Sequence, residues 1–324
     1  MLSLEQKLAQ TKRLEYIDIA KGIGILLVVV FHCKIGDVSH LHNYVYSFHM
    51  PLFFLLAGLC FSTRYDFKDF VTKRTERLLV PCFFFVIIHV AVSCVVHYQN
   101  PYEDVLSKLP MHIPGALWFL PVLFISEVLC FPLICKLKRS ARILGVILFG
   151  IAGAGIMALS LPIPQSLGTV PLSCFFVLIG YELKGVVNKL LTLSRVKFFL
   201  LLIAWLVLTK VAKVNVAFYD NISTPFLVSE VSSLLGIYVC MLVSVKLVGT
   251  RVGGVLADIG IVSLQIMLIH QLFSVSTAAL LWNPDGTLPN KLIFMAFQLT
   301  LTFAGTYYSV KFIDTKAKWL IGKW

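Results

Sequence analysis

The chain has 324 residues, of which 58% are hydrophobic and only 14% charged, and its mean hydropathy is +0.88. Such a balance excludes an ordinary soluble domain and names lipid as the solvent for most of the chain. The formal charge of +12 does not describe a nucleic-acid face either, because the basic residues are spread over many short links instead of one surface.

Residues 1–15 set Leu4, Leu8 and Ala9 among lysines and glutamates, the pattern of a cytoplasmic amphipathic helix lying on a membrane surface. Ten apolar segments follow, at 17–36, 44–62, 78–97, 116–135, 142–160, 169–188, 197–214, 229–248, 255–281 and 291–312. Each approaches the roughly 20 residues that an apolar core of about 30 Å demands of a helix. The expected fold is therefore all-α: a polytopic membrane helical bundle of about ten transmembrane helices filling residues 16–314, with a basic cytoplasmic tail at 315–324. The first segment follows a charged start without a small-residue cleavage site and reads as a signal anchor.

Charge tests the count. With the N-terminus in the cytoplasm, 23 of the 28 lysines and arginines fall on the inner side, and only Lys34, Lys108, Lys210, Lys213 and Lys291 fall outside. One span more or fewer would scramble that separation, so both termini are expected in the cytoplasm. Pro110, Pro114, Pro121, Pro132, Pro162, Pro164 and Pro171 cluster around the fourth to sixth segments. There they end or kink helices, an irregularity that a membrane tolerates beside a cavity. The eight cysteines stand singly in apolar runs, which suits small core residues better than a disulfide framework or a metal site.

Ionisable residues inside apolar segments are costly, and each raises a functional question. Lys21 and His32 are eleven positions apart on one helix, so they share a stripe and lie about 16 Å apart along it. Asp18 sits one turn from Lys21 and can pair with it. The plainer reading is a snorkelling lysine and a structural histidine. His49, in FHMPLFFLLAG, weighs against that reading, since the short link 37–43 makes the first two segments a hairpin and brings His32 near His49. Pro51 reads there as a first-turn proline, and Gly58 as a point of close helix approach. Two imidazoles in an apolar pocket point to proton handling. Arg74 and Arg77 are three apart and suit a phosphate grip on one helical face, unless they merely mark the inner side.

Trp118 fits either an aromatic belt or stacking on an acceptor, and Glu127 either a buried acid or a partner for another helix. His270 is mid-segment; His89 reads as a packed, hydrogen-bonded residue; Glu182 and Glu230 lie near segment ends and carry no assignment.

Lys21 to His32, FHMPLFF with a nearby glycine, and Arg74 to Pro81 (R-x-x-R-L-L-x-P) together resemble the acyltransferase-3 family of integral membrane acyltransferases, of the sugar or glycan O-acetyltransferase type. ALWFL at 116–120, FFxxxG at 175–180 and SLQIMLIH at 263–270 extend the resemblance almost end to end. It implies a catalytic His32, with His49 beside it, and acetyl-CoA as the acyl donor bound at Lys21, Arg74 and Arg77. Asp18, Trp118, Glu127 and His270 would support the site, and no metal is implied. The acceptor it implies is a hydroxyl of a glycan or lipid-linked sugar, with membrane lipid rather than nucleic acid as surroundings, in the bacterial inner membrane. Residue spacing leaves open whether His32 is a general base or a transient acyl carrier. It also leaves a competing class, a secondary transporter or exporter using the same histidines as a proton relay, although no inverted repeat is visible. Departures from the family pattern are Lys21 for the commoner arginine, Ala57 for a serine and Met267 for a tyrosine.

Overall fold

The computed structural model describes residues 4–37, 41–96, 113, 115–159, 163, 166–192, 194–225, 227–283 and 285–322. The side chains of Leu4, Leu8 and Ala9, together with Lys108, Lys323, Pro110, Pro114, Pro162 and Pro164, lie outside that description. Helices account for nearly everything else. In chain order the longer ones are α1 (Leu4–Phe31), α2 (His42–Leu59), α3 (Phe67–Val96), α4 (Gly115–Lys136), α5 (Arg139–Ala158), α6 (Val170–Leu183), α7 (Arg195–Val211), α8 (Val228–Leu247), α9 (Arg251–Ile261), α10 (Ser263–Leu281) and α11 (Leu288–Lys316). A helix falls on each of the ten expected segments, and α3, α4, α8, α10 and residues 139–157 of α5 are long and apolar enough to cross a membrane.

Local chemistry accounts for several boundaries. The Asp66 carboxylate accepts the Asp69 N–H at 2.7 Å and starts α3, and the Thr250 hydroxyl accepts the Gly253 N–H at 2.9 Å and starts α9. At its N-terminus α1 shows no break between an amphipathic helix and a span: its 28 residues form one helix about 42 Å long. The ninth expected segment, 255–281, is two helices, α9 and α10, interrupted at Val262. The segment from Asn215 to Val228, between the seventh and eighth apolar segments, contains an antiparallel pair, β1 (Asn215–Ala217) and β2 (Ile222–Thr224), with Val216 opposite Ser223.

Two prolines reshape their helices. Pro51 does not occupy a first turn; it lies inside α2, where its missing N–H releases the carbonyl of Ser47 one turn back. The Ser233 hydroxyl of α8 donates to that oxygen at 2.5 Å, so the carbonyl is satisfied across a helix interface. Pro81 similarly cannot bond to Arg77, and the backbone opens into a π turn over Thr75–Leu79. That turn begins directly after Arg74 and contains Arg77, and the spacing of three no longer follows an α-helical face.

The core is apolar and aromatic, with Phe54, Leu52, Leu117, Leu120, Phe176 and Leu178 fully enclosed. Helices α2 and α6 meet backbone to backbone. A Cβ at Gly58 would lie 2.0 Å from the Val177 oxygen, and one at Gly180 would lie 2.1 Å from the Leu55 oxygen. Lipid offers no hydrophobic drive for helix pairing, so such close contact carries much of the association. Gly180→Ala is expected to cost about 1–3 kcal/mol through overpacking. Thermal denaturation in detergent should show the lowered midpoint, while Gly155→Ala, with nothing within 4 Å of its Cβ, should leave it unchanged.

Candidate functional site

His270, in the second turn of α10, uses its Nδ1 to reach the Ile266 carbonyl one turn back at 2.9 Å. A carbonyl only accepts, so Nδ1 carries the proton and Nε2 of the neutral ring presents a lone pair. The Nδ1 of His32 lies 3.1 Å from that Nε2, with ring centroids 5.1 Å apart. His32 Nδ1–H must therefore be the donor, which leaves the lone pair of His32 on Nε2. His32 follows the last residue of α1 and keeps the helical bond from its N–H to the Val28 carbonyl at 3.0 Å. The hairpin expectation brings His32 and His49 to one cavity, but the imidazole that His32 contacts comes from α10.

His49 repeats the arrangement. Its Nδ1 donates to the Val45 carbonyl at 2.9 Å, its ring is buried, and Tyr46 meets it edge-on at 4.8 Å. His32 and His49 line a cavity of about 230 Å³ together with Met50, Trp118, Tyr219 and Gln271. His89 donates from Nε2 to the Leu268 carbonyl at 3.0 Å, tying α3 to α10 two residues from His270.

Gln271 was not singled out by sequence reasoning, though it directly follows the SLQIMLIH element. Its Oε1 accepts the Ala116 N–H at 2.5 Å and holds the tight turn that opens α4. Gly115 has a φ of +54° there, and a Cβ would fall 1.9 Å from the same oxygen, so only glycine fits. The contact fixes Trp118, which is buried and lines the cavity. The opposite wall comes from the β-hairpin, residues 216–220, which no period in the sequence announces. The Thr169 hydroxyl anchors it by donating to the Phe218 carbonyl at 2.8 Å.

At the basic end, Arg74 and Arg77 line a second cavity, of about 320 Å³, with Arg64, Lys73, Cys60 and Glu127. Arg74 pairs with Glu127 at 2.9 Å, and Glu127 is only 2% exposed. Its other oxygen, Oε2, has no hydrogen-bond partner among the described residues. Lys21 does not line this cavity. It pairs with Asp18 at 2.9 Å, and both lie near enough to the Cys60 thiol to act on it electrostatically, as does Arg74. Away from these sites, Glu182 binds Arg139 and Arg142, and Glu230 accepts the hydroxyls of Ser223 and Ser229 at 2.8 and 3.1 Å.

Helices α2 and α4 run from one cavity to the other. Met50 lines the histidine cavity and Ala57 the basic one, a rise of about 10 Å along α2. Between them lie Phe53, Phe54 and Phe119, with the Phe119 ring 6.0 and 4.9 Å from the other two. A thin aromatic layer thus separates a cationic chamber from a chamber built around His32 and His49.

Long apolar helices enclosing a hydrogen-bonded histidine pair and a separate cationic chamber define the class: an integral membrane protein with a polar centre inside its helix bundle. The family model for the acyltransferase domain matches residues 14–310, and the chain belongs to that family of membrane acyltransferases. Over 125 residues it is also 34% identical to the nodulation protein NolL of Mesorhizobium japonicum, an alignment covering 35% of this chain and 34% of that protein. The match thus spans about a third of the relative's length. No solved structure matches the chain.

The Arg74–Glu127 pair separates two arginines that looked alike in sequence. Arg74→Gln strands a buried carboxylate and should cost about 3 kcal/mol, whereas Arg77→Gln, at an exposed position, should stay within about 0.5 kcal/mol. Chemical denaturation in detergent checks this, and adding Glu127→Gln to Arg74→Gln should restore most of the loss.

Proposed function

We propose that the protein is an O-acetyltransferase of the bacterial inner membrane, with about ten spans and both termini cytoplasmic. It takes acetyl from acetyl-CoA on the cytoplasmic side and transfers it to a hydroxyl of a glycan or lipid-linked sugar. The observation that carries this reading is the directed hydrogen bond from His32 to His270, which leaves His32 with a basic nitrogen at a cavity wall.

The donor's phosphates suit the basic chamber, where Arg64, Lys73, Arg74 and Arg77 supply charge-assisted donors. Glu127 fixes one edge of the Arg74 guanidinium, a group with about five N–H donors. Lys21 and Asp18 border the chamber rather than line it and contribute to the field at its mouth. The pantetheine arm then passes the aromatic layer and brings the thioester to the histidine cavity.

In the reaction, His32 Nε2 removes the proton of the acceptor hydroxyl as that oxygen attacks the thioester carbonyl carbon. The tetrahedral intermediate collapses with cleavage of the C–S bond, and the coenzyme thiolate takes the proton back from His32. His270 steadies the imidazolium through the Nδ1–H bond, and its own proton stays on the Ile266 side. His49 presents an acceptor nitrogen, which suits it to orient the incoming hydroxyl. Gln271, whose Oε1 is committed to Ala116, has its amide N–H groups to offer the developing oxyanion. Trp118 closes the cavity beside the thioester.

Purified protein supplied with radiolabelled acetyl-CoA and bacterial glycan acceptors should release coenzyme and label the glycan. His32→Ala should lower kcat by about 10²–10⁴, and equal turnover would remove His32 from the chemistry. His270→Ala should lower kcat by about 10². His270→Gln should recover part of that, because its amide oxygen also accepts from Nδ1–H. Arg77→Gln should raise KM for acetyl-CoA about tenfold with little change in kcat. A wild-type protein that binds no acetyl-CoA would turn the reading towards transport.

A further inference from the structure

Beside the basic chamber lies a larger cavity, of about 600 Å³, that the proposed reaction leaves unused. We propose that it is the nucleoside subsite of the acyl donor, taking the adenosine end of the coenzyme, and that Gln265 reads the exocyclic amino group of the base. This rests on the reading of the protein as an acetyl-CoA-dependent acyltransferase and adds the group by which the donor is recognised.

The two cavities meet at Lys73 and Arg77, which line both. Beyond those shared cations the larger one changes character. Its remaining walls, among the described residues, are the apolar side chains of Ile261, Val262, Leu264 and Ile321, with Glu76, Gln265 and Gly322. A phosphate finds no further cation there and meets the Glu76 carboxylate, so the donor's phosphates belong with Lys73 and Arg77. A flat, uncharged ring suits the apolar walls, and Glu76 can accept a ribose hydroxyl. The chambers then follow the order of groups along the coenzyme: base and ribose, phosphates, uncharged arm, thioester.

Three irregular segments meet around the cavity. The break at Val262 divides α9 from α10, the π turn over Thr75–Leu79 carries Glu76 and Arg77, and the C-terminal turn Lys318–Ile321 supplies Ile321. The last of these is packed tightly on the π turn. Gly322 has a φ of +67°, and a Cβ there would fall 1.9 Å from the Glu76 carbonyl oxygen.

Gln265 supplies the direction of recognition. It is only 4% exposed, and its Nε2 donates to the Asp314 carboxylate at 2.7 Å. A carboxylate accepts and cannot donate, so the amide cannot be turned round, and its oxygen is the end left over. That atom, Oε1, has no hydrogen-bond partner among the described residues. A buried acceptor left unmet is costly, and a ligand N–H would offset the cost. Adenine carries an amino group where guanine carries a carbonyl oxygen, so an oriented acceptor favours adenine at that edge.

Isothermal titration of the purified full chain in detergent tests this with two probes. One is adenosine 3′,5′-bisphosphate; the other is the matching bisphosphate of purine riboside, which lacks only the amino group. Wild-type protein should bind the adenosine compound about tenfold more tightly. Gln265→Leu should bring that ratio to about one by weakening the adenosine compound alone. In Asp314→Asn the new amide can meet either end of Gln265, so the ratio should fall to about threefold; this variant decides the matter if Gln265→Leu does not fold. Equal binding of the two nucleotides in wild type, binding of neither, or an undiminished ratio in either folded variant would overturn the proposal. Acetyl transfer from radiolabelled acetyl-CoA, measured on the same wild-type protein, keeps the two readings apart. Transfer without nucleotide discrimination rejects this subsite alone, whereas discrimination without transfer rejects the acyltransferase reading and leaves the nucleoside subsite standing.

Discussion

The bond from His270 Nδ1 to the Ile266 carbonyl is short-range and unremarkable in kind, yet the chemistry at the centre depends on it. A helix interior already commits its carbonyls to N–H groups, but each carbonyl oxygen has a second lone pair, rigidly placed four residues before the ring. An imidazole that donates there has no freedom left over its tautomer, and the direction of every hydrogen bond beyond it is set. His49 uses the same device on Val45. Two buried histidines therefore both turn acceptor nitrogens away from their own helices.

Holding those rings in place requires that backbone accounting succeed elsewhere. Pro51 lies two residues beyond His49, and the carbonyl it frees belongs to Ser47, two residues before. Were that oxygen unmet in an apolar interior it would cost several kcal/mol; Ser233 supplies the bond, and α2 keeps its course past His49. Charge is handled with similar economy at the basic end. Glu127 is nearly inaccessible, and Arg74 serves at once as its counter-ion and as part of the chamber wall.

How far the sequence could carry the reading varied with the range of the interaction. Apolar runs with basic residues between them located helices on all ten segments, because lipid burial writes itself into composition. The interruption at Val262 left no trace, since Ile261, Val262 and the residues around them continue an apolar run, and a one-residue break changes direction without changing polarity. Asp18 with Lys21, three apart on one helix, was legible. His32 with His270, and Arg74 with Glu127, were not legible as pairs: each residue was identified singly, but helix order in a bundle is a matter of packing, and small contacts such as Gly58 against Val177 and Gly180 against Leu55 decide it. Gln271 stayed hidden for another reason. Its role depends on the left-handed turn at Gly115, which is 156 positions away along the chain and meaningful only once α4 and α10 are side by side.

The separation of the chambers gives the proposed reaction its order. Coenzyme phosphates cannot enter the layer of Phe53, Phe54 and Phe119 without shedding water that no residue there replaces. A thioester on a slender, uncharged arm can. In the proposed reaction Arg74, Arg77 and their neighbours would retain the charged part of the donor while the reactive end crosses the roughly 10 Å of α2 between the two cavities. Binding energy gained at the phosphates would then hold the thioester at the base in one geometry, which is the condition for converting a collision into an intramolecular step. The same layer would keep bulk water on the basic side from the thioester, so that the acceptor hydroxyl of the proposed reaction competes with little else for the acetyl group.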